Sequence, residues 1–379
     1  MTKGLDGIRA IAFLLVFAFH LGQLPCGWIG VPLFFVLSGF LITRILLNTK
    51  EELAAKTYFI NFYGRRILRI FPLYYAYLFI AGLAAFLYSG DEPYLRGQFL
   101  IFREQFPYAL TYTYDFFHST AAFKQSYFLS HLWSLSIEEQ FYLIWPAVIL
   151  VTPRRFLRAL LWAVIIACPL LRGSMIVVHY YWATRLVMFP LFVYVLPFSH
   201  FDAFAVGALV SRVEVPKPKV KLLLLTLLVP AIAMLAHFIE LGSVQPVIEF
   251  GYEPFLRDSA YRPVWGYSLL NFYFALVVYC VAFKGLFRRA LELSFVRFTG
   301  RISYGLYVFH LPCIWVVSHI LMQRGITNQL IHCLVILPVT YLFATASYYC
   351  MEQPLLRMKD RLFPVRTSYD KELSQSTAL

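Results

Sequence analysis

Ten stretches of this chain are apolar over about the length that crosses a lipid bilayer, and no other sequence feature restricts the fold as strongly. They are 6–22, 30–47, 70–88, 131–151, 156–172, 194–212, 220–240, 266–283, 302–322 and 328–350. A single water-soluble core of 379 residues cannot bury that many apolar runs. Hydrophobic residues make up 60% of the chain and charged residues only 14%, against roughly 25% charged in an ordinary soluble domain. The reading is an all-α fold: a polytopic membrane helical bundle of about ten transmembrane helices. A disordered chain, a disulfide scaffold and a typical soluble enzyme are excluded.

The formal net charge is +13. Cytoplasmic loops of membrane proteins carry an excess of Lys and Arg. The basic residues here cluster as that rule requires: Lys3 with Arg9, then 50–69, Arg154 with Arg155 and Arg158, 212–221, 284–301 and 357–361. Ten spans place all these clusters on one side, with the N- and C-termini cytoplasmic. Segment 97–117 is apolar but interrupted by Arg103, Glu104 and Pro107. As one further span it would move Arg154 and Arg155 outside, so it is expected to lie in the interface or to be re-entrant. Segment 174–193, aromatic-rich and carrying His179 and Arg185, stays ambiguous.

No cleavable signal peptide is expected, because the first apolar run has no small-residue cleavage site after it. Residues 1–362 are expected to form one integral-membrane domain, followed by a polar, disordered tail over 363–379. The six cysteines lack CxxC spacing and mostly fall within apolar runs. They read as small buried apolar residues, so neither a metal site nor a disulfide framework is expected. No soluble basic face for nucleic acid is visible.

Ionisable groups inside apolar spans are costly, and so are functional candidates by default. Arg9 and His20 lie on the first run, eleven residues apart. That is about 16 Å along a helix and within roughly 20° of the same face. An imidazole there suits general-base work, because its pKa lies near neutrality. A His bonded to a neighbouring helix and a snorkelling Arg would satisfy the same spacing. In NFYGRRILRIFP, Arg65 and Arg69 share a helical face with Arg66 beside them. They could hold lipid phosphates, or bind the phosphates or thioester oxygen of a ligand. Glu138 and Glu139 enter an otherwise apolar run in HLWSLSIEEQFYLIWP. Adjacent residues point about 100° apart on a helix, so one should face the interior and the other solvent or an arginine. Ser303, Tyr307 and His310, together with Asp202 and Glu352, read individually as structural. Ser38-Gly39 inside an apolar helix suggests close helix packing. Ser38 lacks the GxSxG context of a nucleophile.

Six segments, in order, resemble the membrane-bound acyltransferase-3 family, whose members O-acylate cell-surface polysaccharides, lipopolysaccharide, peptidoglycan and other acceptors. They are GLDGIRAIAFLLVFAFH, GWIGVPLFFVLSGFLIT, FYGRRILRIFPLYY, LSHLWSLSIEEQFYLIWP, ISYGLYVFHLP and MEQPL. They cover about 4–356. The resemblance implies a ten-helix bundle in a bacterial inner (plasma) membrane. It implies acyl-CoA, most often acetyl-CoA, as donor, and a hydroxyl on a carbohydrate or glycolipid acceptor. The family's Arg-x10-His pair falls on Arg9 and His20, its RxxR signature on Arg66 and Arg69, and its WSLxxE glutamate on Glu138. His20 is then the general base, Arg9 and Glu138 complete the catalytic group, and Arg65, Arg66 and Arg69 bind the donor. Many relatives have Asp where this chain has Pro32, which reads as a subgroup difference. Larger relatives carry an esterase-like domain after the bundle, which is not expected here. A transporter or flippase would also bury charges near the midplane, but the inverted repeats common in such proteins are not evident.

Overall fold

The computed structural model describes residues 4–182, 191–243 and 262–364. Their regular structure is helical throughout. The chain opens with α1 (Gly4–His20), α2 (Gly30–Thr49) and a long α3 (Ala55–Leu87). After these come α4 (Pro93–Leu110), α5 (Tyr114–His118), α6 (Trp133–Val151) and α7 (Arg154–Trp182). The middle of the chain forms α8 (Leu191–Val195), α9 (Phe201–Val210), α10 (Pro218–Leu241) and α11 (Arg262–Lys284). The last part comprises α12 (Arg288–Leu291), α13 (Ser294–Arg301), α14 (Ser303–Gln323), α15 (Gln329–Ser347) and, beyond a π-turn, α16 (Gln353–Leu362).

Among the described residues, eight helices are long and apolar enough to cross a membrane. The expectation of about ten is corrected at two places. α9 replaces the expected span 194–212 with only 10 residues, about 15 Å of helix and half a hydrocarbon core. It is short because Pro197 and the irregular backbone at His200 precede it, and because it fills the bundle interior rather than reaching across it. At 17 residues, α1 lies at the lower limit for a span. α4 is not among the eight. It folds back on α3, where the Arg103 guanidinium donates to the Ala85 carbonyl (2.9 Å). In the ambiguous stretch 174–193, α7 continues to Trp182, and 183–190, with Arg185, lie outside the described residues. So does 365–379, most of the expected tail.

The interior is built by backbones that approach closely. A Cβ on Gly39 of α2 would sit 2.1 Å from the Phe204 carbonyl oxygen of α9, and one on Gly207 would sit 2.1 Å from that of Val36. Each glycine therefore lets the opposite helix touch backbone, the small-residue contact expected from Ser38-Gly39. One group of polar side chains in this apolar interior is closely paired. Arg172 of α7 and Asp202 of α9, both with fully buried side chains, form an ion pair at 3.0 Å. Ser268 and Asn271 of α11 also donate to the Asp202 carboxylate, at 2.6 and 3.1 Å. This network ties three helices together away from α1.

Two turns fix which helix ends lie together. Lys50, just after α2, donates to the carbonyls of Ile149 and Thr152 at the end of α6 (2.8 and 2.7 Å). Arg154 at the start of α7 pairs with Glu51 (2.6 Å). The Thr49–Ala55 and Val151–Arg154 connections therefore share one end of the bundle, and His20 lies at the opposite end of α1.

Candidate active site

Periodic polar stripes on three helices and single polar residues from two more converge on one cavity. On α6, Ser134, Glu138 and Tyr142 recur every fourth residue and so form a single face. On α3, Arg66 and Arg69 do the same at i and i+3, as do Ser303 and Tyr307 at i and i+4 on α14. These residues, with Arg9 of α1 and Ser38 of α2, line a cavity that leaves about 100 Å³ for the centres of water-sized molecules. Its walls are joined where the Tyr304 hydroxyl of α14 donates to the Ile70 carbonyl of α3 (2.9 Å).

The lining holds three guanidinium groups, on Arg9, Arg66 and Arg69, and two carboxyls, on Glu138 and Glu139. Arg9 is already paired with Asp6 (2.7 Å). Glu138 accepts from the Ser38 and Tyr142 hydroxyls. The Arg66 guanidinium lies over the Tyr142 ring at 5.0 Å. Neither Arg66 nor Arg69 makes an ion pair among the described residues. Their guanidinium forks match phosphate oxygens in shape, and the two carboxyls of the same lining offset part of their charge. Both glutamates line the cavity together with the arginines, so of the two expected surroundings for the second carboxylate, solvent or an arginine, the helix presents the arginine.

His20 lies beyond this lining, in a cluster with His310 of α14 and His131. The His310 Nδ1 is 2.6 Å from the Tyr307 carbonyl oxygen, which can only accept. Nδ1 therefore carries the proton, and His310 Nε2 has a lone pair. That lone pair faces His20 Nδ1 at 3.2 Å, and the same His20 nitrogen is 3.0 Å from the Val16 carbonyl oxygen. Both neighbours are acceptors, so His20 is protonated on Nδ1 and its Nε2 lone pair is left without a partner among the described residues. His131 Nε2 donates to the Val308 carbonyl (3.0 Å). Tyr307 touches both compartments. It lines the cavity, its hydroxyl meets Ser134 Oγ at 2.5 Å, and its ring centroid is 5.2 Å from that of His310.

The structure thus brings Arg9, Arg66, Arg69 and Glu138 around one cavity and places His20 next to it. Arg65 is elsewhere: it bonds Asp360 (2.9 Å) and the Phe363 carbonyl (2.7 Å), tying α3 to the chain around α16. Asp202 belongs to the buried pair described above, and Glu352 accepts from Ser347 (3.0 Å). Sequence reasoning singled out Glu138 and Glu139 together but assigned a role to Glu138 only, gave none to Ser134, Tyr142 and His131, and treated Tyr307 and His310 as structural. The four-residue repeat Ser134–Glu138–Tyr142 was the available signal. The contact between His310 and His20 joins residues 290 positions apart and left no trace in local spacing.

A family model described as an acyltransferase domain matches residues 2–349 of this chain. YrhL of Bacillus subtilis, whose name assigns it provisionally to peptidoglycan O-acetylation, is 31% identical over 96% of this chain and 56% of its own length. The O-acetyltransferase OatA of Staphylococcus aureus is 28% identical over 95% of this chain and 58% of its own. The peptidoglycan O-acetyltransferase OatA of Listeria monocytogenes is 38% identical over a shorter stretch, 40% of this chain and 24% of its own. The chain thus spans little more than half the length of the curated relatives that it matches. No solved structure matches it. The family match runs from α1 into the π-turn that follows α15 and includes every residue of the arginine cavity and the histidine cluster: this chain belongs to the acyltransferase-3 family of integral membrane proteins.

Proposed function

We propose that this protein transfers acetyl from acetyl-CoA to a hydroxyl of a cell-envelope carbohydrate or glycolipid, in a bacterial inner membrane with its arginine-bearing end cytoplasmic. One observation carries the reading. Tyr307 lines a cavity whose Arg66 and Arg69 make no ion pair among the described residues, and it also packs against His310, the partner of a histidine whose Nε2 lone pair is unengaged among them. The first suits a polyanionic thioester donor, and the second suits activation of an alcohol. The names of the matched relatives, which act on peptidoglycan or as O-acetyltransferases, support the choice of acetyl and of an envelope glycan.

In this mechanism Arg66 and Arg69 hold the donor's phosphates, and the thin pantetheine arm carries the thioester past Arg9 toward Tyr307. His20 Nε2 takes the proton of the acceptor hydroxyl as its oxygen bonds to the thioester carbonyl carbon. The C–S bond then breaks, and the imidazolium returns the proton to the departing thiolate. The products are the acetyl ester and free coenzyme A. His310 accepts from His20 Nδ1–H and keeps Nε2 basic and aimed. Glu138, held by Ser38 and Tyr142, balances the arginine charge.

The test follows labelled acetyl from acetyl-CoA into envelope fractions, using membranes that contain wild type, His20→Ala or Arg69→Ala at equal expression. Label incorporated with wild type and lost with both variants supports the reading, and the labelled fraction gives the acceptor class. Equal incorporation in all three samples overturns it.

A further inference from the structure

A second cationic cavity takes no part in this chemistry. Arg154, Arg155 and Arg158, on the first turns of α7, line it together with Arg212, just beyond α9. It leaves about 270 Å³ for the centres of water-sized molecules, more than the Arg9 cavity does, and the two share no residue. Its floor is apolar: Leu157, Leu161 and Leu209 are buried beneath the guanidinium groups.

The charges in this cavity are poorly matched. Arg154 has Glu51, and Arg155 lies over the Phe156 ring at 4.7 Å. The side chains of Arg158 and Arg212 have neither an ion pair nor a hydrogen bond among the described residues. All four arginines are exposed, so water screens their mutual repulsion, but they line one recess and their forks fit phosphate oxygens in pairs. The recess lies where α6 turns into α7, at the edge of two apolar spans, Ser130–Val151 and Arg154–His179. Phe156, whose ring lies under the Arg155 guanidinium, is 53% exposed, an apolar rim suited to acyl chains rather than to water.

We propose that this recess is a phosphate-binding site and that its occupant is the headgroup of an anionic phospholipid, seated against the apolar rim. The site does not depend on acetyl transfer. A phosphate of a nucleotide donor shares the same chemistry and is the other source to be tested.

The full chain would be placed in phosphatidylcholine nanodiscs with or without phosphatidylglycerol. Melting temperature and lipid retention in native mass spectrometry would be read for wild type, Arg158→Gln/Arg212→Gln and the control Lys217→Gln/Lys219→Gln. Phosphatidylglycerol should raise the melting temperature of wild type and of the control, and be retained by both. The arginine pair should lose the rise and retain at least tenfold less, while melting like wild type in phosphatidylcholine alone. Should the double variant not fold, Arg212→Lys serves, with a partial loss expected. In a second arm, coenzyme A is added to phosphatidylcholine discs. A shift lost with the arginine pair in this arm alone keeps the phosphate site and assigns it to the nucleotide. Equal responses of wild type and the arginine pair to both additives overturn the proposal.

Discussion

His310 Nε2 lies 3.2 Å from His20 Nδ1, while the Nδ1 of His310 is itself held 2.6 Å from the Tyr307 carbonyl. The backbone carbonyl sets the tautomer of His310, and His310 in turn helps to set that of His20. A buried imidazole that orients another is expected to act through the second and not by itself. Replacing His310 with Ala should lower kcat by about a hundredfold, in the range found for partners that orient catalytic or metal-bound histidines, with the acetyl-CoA KM unchanged. The His20→Ala/His310→Ala double variant should be no slower than His20→Ala alone, since the two act as one unit. Steady-state kinetics of the four proteins checks this. Multiplicative losses would separate the two residues.

The three arginines of the Arg65–Arg69 segment should divide. Arg66→Gln and Arg69→Gln each remove a charge-assisted contact worth about 1.5–3 kcal/mol. Each should therefore raise the acetyl-CoA KM by roughly tenfold to a hundredfold. Arg65→Gln should leave KM alone, because its guanidinium is committed to Asp360 and the Phe363 carbonyl. Donor titrations of the three variants distinguish them.

How much of this could be read in the sequence depends on the range of each interaction. The spans built on 30–47, 131–151, 220–240, 266–283 and 302–322 were legible because hydrophobic runs are local. Arg66, Arg69 and Glu138 stood out because charge within such runs is rare. The length of α3 was not legible: the apolar run begins at residue 70, whereas 33 residues run unbroken from Ala55, so the helical face that carries the arginines is continuous with the span. The brevity of α9 was also hidden. Its apolar window is genuine, but it is buried by Gly39 and Gly207 contacts and anchored by Arg172, which is 30 residues away from Asp202. Partnerships such as His20 with His310 are set by tertiary packing, which one sequence does not encode locally.

The Arg172–Asp202 pair should be structural. Arg172→Met leaves a fully buried carboxylate without its cation and should destabilise the bundle by about 3–5 kcal/mol. Adding Asp202→Leu removes the orphaned charge and should recover part of that loss. Thermal unfolding in one detergent, compared across the two variants and wild type, checks the order.

Asp115 supplies a pH signature outside the spans. It is fully buried on the short α5, and one carboxylate oxygen accepts from Gln140 (2.9 Å) while the other has no partner among the described residues. Burial pushes its carboxyl up to about 7. Between its ordinary range near 4 and that value the folded protein keeps a proton that the unfolded chain releases. Its stability contribution is therefore complete below pH 4 and falls as pH rises toward 7. The stability of wild type relative to Asp115→Asn should decline over that window and level off above it. Melting curves of both proteins from pH 4 to 8 give this difference directly. A flat or rising difference would contradict the assignment.

The central claim is that one site receives its donor from the arginine end of the bundle and its acceptor from the His20 end. The direct measurement uses proteoliposomes of known orientation, with labelled acetyl-CoA only on the arginine side and a glycan acceptor only on the other. The account predicts labelled acceptor with wild type and none with His20→Ala. Transfer only when donor and acceptor share a compartment, or equal transfer by His20→Ala, would contradict it.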